Sequence, residues 1–198
     1  ARADLRDVLL LATLPYVEAE GFSEKALRQG AEDEGVPVAK ALALFPESID
    51  LVRHFTDWAD RTMLTRLSHD KKPDRVRDRI GLAVQRRLET LAPYKAAERQ
   101  ALACFAKPWN ATEALRCLYA TVDTIWIYAG DTSTDYNFYT KRVLLAGVYS
   151  TTLLRFLTDN SPGHQASWDF LEKRIDHALK LGQFAGRIKE ALKSRRAA

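Results

Sequence analysis

Residues 122–159 read VDTIWIYAGDTSTDYNFYTKRVLLAGVYSTTLLRFLTD, and this stretch decides the fold. Apolar residues recur at helical spacing up to Ala129, stop across Gly130-Asp131-Thr132-Ser133-Thr134-Asp135, and resume from Tyr136 with the same period. The break is short and polar, so two helices are joined by a turn. Seven aromatic residues and few charges occupy the stretch, six of those aromatics between Trp126 and Tyr149.

On the helix near 110–129, Leu115, Leu118, Tyr119, Val122, Ile125, Trp126 and Ala129 form one stripe, expected in the core. Asp123 and Ile127 lie off it, so Ile127 is apolar on a face that ought to be polar. It meets either another helix of the same subunit or a partner. The helix from Thr134 to Asp159 is apolar almost all round. Tyr136, Tyr139, Val143, Ala146, Leu153 and Leu157 make one stripe; Phe138, Leu145, Tyr149 and Phe156 make a second. Such a helix is central, lines a greasy cavity or covers a partner site. Ala146, Gly147 and Ser150 interrupt the stripes, which allows a close helix crossing or leaves space for a ligand. Lys141-Arg142 sits awkwardly near a helix N-terminus, where Asp131 and Asp135 can offset it. A local salt-bridge cluster and a lipid-headgroup contact both fit.

Outward from this pair the chain stays helical, with no persistent alternating strand pattern. Leu5, Val8, Leu9, Ala12 and Tyr16 mark a first helix ending before Gly21. Ser23 caps Glu24–Glu34, and a short helix follows Pro37 and ends near Phe45-Pro46. Ser48 to about Ser68 forms a fourth, and the polar linker His69-Asp70-Lys71-Lys72-Pro73 is a joint between units 1–68 and 69–198. Further helices lie near 74–92, 94–106 and 165–192.

The chain has 198 residues, 46% hydrophobic and 28% charged, an ordinary soluble globular balance. No apolar run reaches the roughly 20 residues of a spanning helix. The start, Ala1-Arg2-Ala3-Asp4, suggests trimming or processing. Cys104 and Cys117 lack metal-site spacing, so a reducing compartment is the simplest home.

Charge is divided unevenly. Residues 1–60 carry six Lys and Arg against twelve Asp and Glu, a balance of −6, while the remainder stands at +10 within a total of +4. The first helices have the size and turns of a helix-turn-helix. Yet the would-be recognition helix, Val38–Leu44, offers only Lys40, behind Glu32-Asp33-Glu34, and has no Arg, Asn or Gln to read a base. No nucleic-acid partner is expected. Three residues before the four histidines stand Leu51, Arg66, Ser161 and Arg174, so no Glu-x-x-His metal motif exists. Neither a phosphate loop nor a nucleophile elbow appears, and no catalytic residue, metal or cofactor is expected. At the C-terminus, Trp168, Leu171, Ile175 and Leu179 look core-like. Leu181, Phe184, Ile188 and Leu192 then continue an apolar face flanked by cations, either a membrane-surface binder or an ordinary helix end.

The run A-G-D-x-S-T-D-[YF]-N-[FW]-Y-T-[KR]-R, residues 129–142, resembles the core motif of the coenzyme Q biosynthesis accessory family. The resemblance extends through Gly21-Phe22-Ser23, Leu44-Phe45-Pro46 and Asp169-Phe170-Leu171-Glu172. It implies an all-α, TetR-like fold, with an N-terminal helix-turn-helix three-helix unit and a C-terminal antiparallel helical bundle. It also implies a non-catalytic lipid-binding role beside the di-iron demethoxyubiquinone hydroxylase, with an isoprenoid quinone intermediate or a phospholipid as ligand. An apolar cavity bordered by Trp126, Leu145, Gly147, Tyr149 and Phe156 is expected. The resemblance places Asp123, Phe138 and Tyr139 on the hydroxylase-facing surface, to which Ile127 is added from its off-stripe position.

Position 138 is often Trp in that family and is Phe here, which removes an indole N–H. Animal members carry a longer C-terminal amphipathic helix, so that element is expected to be shortened or trimmed in this chain. By analogy with the fold, a homodimer forms through the last long helices. The expected location is the bacterial cytoplasm, peripheral to the inner membrane, or alternatively the matrix side of the mitochondrial inner membrane. The rival is a TetR-type ligand-responsive transcription regulator.

Overall fold

The computed structural model describes the backbone of residues 4–130 and 136–196, and side-chain surroundings for 4–130 and 139–182. The described residues form nine α-helices and three short 3-10 turns, with no strand among them. The helices are α1 (Leu5–Glu20), α2 (Glu24–Asp33), α3 (Val38–Leu44), α4 (Ser48–His69), α5 (Val76–Leu91), α6 (Lys95–Phe105), α7 (Ala111–Ala129), α8 (Tyr136–Leu157) and α9 (Gln165–Arg196). Their ends follow local chemistry. Asp4 accepts the Arg6 N–H at 3.0 Å to open α1, and Ser23 accepts that of Ala26 at 3.2 Å to open α2. Glu47 and Asp50 form a reciprocal capping box at α4.

Two compact units emerge. The first comprises Ala1–Asp70 and Arg86–Thr121; the second comprises Lys71–Gln85 and Val122–Ala198. The chain leaves the first unit at Asp70, beside the linker read as a joint, but returns at Arg86 and departs again after Thr121. A single cut at 68/69 therefore does not describe the grouping, because α5 and α7 each contribute to both units.

In the first unit α1 packs on α2, α4 and α6, with Leu9, Leu10, Leu27, Phe55 and Met63 fully enclosed. This core also holds a buried ionic cluster. Asp60 accepts from Arg87 Nε at 2.6 Å, and the Thr121 hydroxyl donates to both Asp60 oxygens at 3.0 and 2.9 Å. Burial pushes the Asp60 carboxyl up from its ordinary value, against the pull of Arg87 and Thr121. The cluster explains one departure from the sequence stripe. Leu115 and Tyr119, expected in the core, are exposed, whereas Cys117 and Thr121 face inward. A buried carboxylate needs donors, and Thr121 supplies one only when α7 turns that side to Asp60.

The second unit is built on α8 against α9, and a Cβ added at Gly81 of α5 would lie 3.6 Å from the Ile175 side chain of α9. Leu171 and Ile175 are buried as expected, but Leu179 is exposed. Side chains beyond residue 182, including Phe184, Ile188 and Leu192, lie outside the described residues.

Candidate functional site

The motif stretch belongs to the second unit, and its opening pair has a physical reason. The Arg79 guanidinium donates to the carbonyls of Pro73 at 2.7 Å, Asp74 at 2.9 Å and Ala129 at 3.0 Å. The last is one of the carbonyls a helix C-terminus leaves without an intrahelical partner. Gly130 follows at φ +88°, a region L side chains rarely adopt, and a Cβ there would lie 3.3 Å from Arg79 Nη1. Arg79 was not singled out from the sequence; its partners lie in a linker and at a helix end 50 residues away.

Arg142 is buried and donates through Nε at 2.8 Å and Nη2 at 2.6 Å to Oδ1 of Asp123. The salt-bridge reading of Lys141-Arg142 therefore holds for Arg142, but its partner is Asp123 on α7. Asp131 and Asp135 lie outside the described residues. The Lys141 ammonium stands 5.6 Å from the ring centroid of Trp126, within cation–π range.

Of the residues read as a lipid cavity, Trp126, Leu145, Tyr149 and Phe156 are all buried. Leu145, Tyr149 and Phe156 share the inward face of α8. Gly147 is exposed, and a Cβ added there meets no heavy atom within 4 Å. At about 100° per residue it points away from Leu145 and Tyr149. Gly147 thus leaves no internal space beside them, which corrects that expectation.

Of the residues read as partner-facing, Ile127 is 65% exposed and Tyr139 is 67% exposed. Tyr139 lies on the stripe that also read as core; the structure puts it outside. Val143, on the same stripe, is 72% exposed and was missed as a surface residue. Asp123 is half-buried and engaged by Arg142. The Phe138 side chain lies outside the described residues.

Among the described residues no group of three or more His, Cys, Asp or Glu is placed to hold a metal. Burial pushes the Cys117 thiol up to about 11, so it stays protonated at neutral pH. His54 lies 2.8 Å from Asp7, and burial lowers its imidazole pKa although Asp7 acts the other way.

A family model described as COQ9 matches residues 111–182, which contain the whole motif stretch. The ubiquinone biosynthesis protein COQ9, mitochondrial, of Homo sapiens is 35% identical across 93% of this chain and 61% of its own length. The chain is thus similar to the COQ9 family, most specifically over residues 111–182. The Drosophila melanogaster protein of the same name is 38% identical over 89% of this chain and 56% of its own. A probable counterpart in Dictyostelium discoideum is 25% identical over 96% and 64% respectively. The chain thus spans about three fifths of the length of these COQ9 relatives. Among solved structures, a TetR transcriptional regulator from Nitrosomonas europaea superposes with a TM-score of 0.71 at 18% identity, covering 88% of this chain and 98% of that one. That likeness establishes the all-α, TetR-like fold.

Proposed function

We propose that this chain is a non-catalytic lipid-binding accessory of ubiquinone biosynthesis that supports, or presents substrate to, the di-iron demethoxyubiquinone hydroxylase. The observation that carries this reading is the division of α8. Leu145, Tyr149 and Phe156 are inside, while Tyr139 and Val143 are outside, as is Ile127 on α7. An exposed tyrosine is the kind of side chain that anchors protein interfaces. The buried face with Trp126 is the lipid side, and Ile127, Tyr139 and Asp123 belong to the partner side, to which the family resemblance adds Phe138. The pathway is drawn from the names of the COQ9 relatives.

Those names read mitochondrial, which supports a mitochondrial location over the bacterial cytoplasm, and we place the chain on the matrix side of the inner membrane. No described helix is long and apolar enough to cross a membrane. We take the contact as peripheral, and the cation-rich sequence from Lys180 to Arg196 is suited to it. Leu154 and Leu179, exposed on α8 and α9, are available to a second copy in a homodimer. A transcription regulator would share the fold, but α3 presents Lys40 as its only charge, next to exposed Glu32, Asp33 and Glu34. Such a surface repels phosphate.

The test has two arms. Extraction and mass spectrometry of the purified chain should find a co-purifying isoprenoid or phospholipid. Ile127→Lys and Tyr139→Ala should each weaken capture of the hydroxylase by about tenfold or more, as loss of an interface anchor does, with melting temperature and lipid content unchanged. Loss of stability in step with loss of capture would place both residues in the fold and remove the partner surface.

A further inference from the structure

Trp126 is only 9% exposed, and its indole Nε1–H, shielded from solvent, meets no acceptor among the described residues. The contrast within the same unit is Trp168, whose Nε1 donates to the Gly163 carbonyl at 2.8 Å. A buried donor left unpaired costs about 1–3 kcal/mol. Phenylalanine would fill much of the same space without that cost, so packing alone does not account for an indole here. Two features describe what the missing acceptor is. The Lys141 ammonium lies 5.6 Å from the indole ring, which sets a cationic side chain near the donor. Leu145 and Tyr149 follow Lys141 at i+4 and i+8, so this side of α8 passes from cationic to apolar within about two turns.

Resting on the lipid-binding reading above, we propose that Trp126 Nε1 donates a hydrogen bond to the polar end of the bound amphiphile, an oxygen acceptor set beside Lys141. A hydrocarbon has no lone pair to offer, and an ammonium head has none either. A quinone ring carbonyl and an acidic lipid headgroup share the required chemistry.

The four tryptophans of the chain contribute four indole N–H signals to a proton–nitrogen correlation spectrum. Trp126→Phe deletes one and so assigns it. Three probes are added to the intact protein: a short-chain ubiquinone, palmitate and hexadecane. The Trp126 signal should move downfield with the quinone, with palmitate or with both, and stay in place with hexadecane. Trp126→Phe should weaken the effective probe about tenfold, the value of one hydrogen bond to a polar group. Lys141→Gln should weaken palmitate more than the quinone, which separates the two sources. If native mass spectrometry shows a probe bound while the Trp126 signal stays put, this inference fails and lipid binding stands. If neither oxygen-bearing probe binds, both fail.

Discussion

Helices α4 and α8 are equally long, 22 residues each, yet they dispose of their apolar surface differently. In α4, Leu51, Val52, Phe55, Ala59, Met63 and Leu67 are buried, and Leu64 is the large apolar side chain left exposed. In α8, Leu145, Val148, Tyr149, Leu153, Phe156 and Leu157 are buried, and Tyr139, Val143 and Leu154 remain outside. Each helix also contributes one member of an ion pair. The Asp60–Arg87 pair of the first unit is closed at both ends, with side-chain exposures of 10% and 2%. The Arg142–Asp123 pair of the second is open at Asp123, at 6% and 31%. The first unit thus encloses what α4 offers, whereas α8 offers more than its own unit covers. On the function proposed above, that surplus is the surface offered to a partner.

Three measurements can break or sharpen that contrast. Arg87→Ala should have the largest effect, a loss of about 3–5 kcal/mol in urea unfolding, because Asp60 would stay buried without its cation. A loss below about 1 kcal/mol would mean that the first unit is not closed around the pair. Arg142→Ala should cost less, about 2 kcal/mol, since Asp123 can turn to water once released. Equal losses for the two variants would erase the difference between the units.

Glu98→Gln should have the smallest effect, and its sign depends on pH. Burial pushes the Glu98 carboxyl above its ordinary value of 4.5; Arg87 opposes the rise and Asp60 adds to it. A carboxyl whose folded pKa exceeds its unfolded one favours the folded state below the unfolded value. That contribution is lost as pH rises through the folded pKa. Replacement by Gln should therefore raise the melting temperature by about 2–4 °C at pH 7 and leave it unchanged near pH 4. The same gain at both pH values would assign the effect to packing instead of charge.

Much of the fold was legible locally. Ser23 as a cap, Gly21 as a stop, Pro46 before α4 and the polar break after Ala129 all mark ends where the structure has them. Capping and turn formation involve residues within a few positions of one another, so their signals sit together in the chain. The family motif was legible for the same reason. The candidate site was legible only in part. Ile127 stood out because it broke an otherwise clear stripe, and the structure leaves it exposed.

The sequence by itself determined that this chain is a set of amphipathic helices with a second unit richer in apolar surface than one helix face can hide. The tertiary structure alone decided the phase of α8, placing Tyr139, Val143 and Gly147 outside and Leu145 inside. A helix that is apolar all round has no polar side from which to tell inward from outward. Tertiary contacts also decided that Thr121 rather than Tyr119 faces the core, and that Arg142 pairs with Asp123. Buried charges select partners across space, here 27 residues away for Arg87 and 19 for Arg142, and no local spacing announces such a choice.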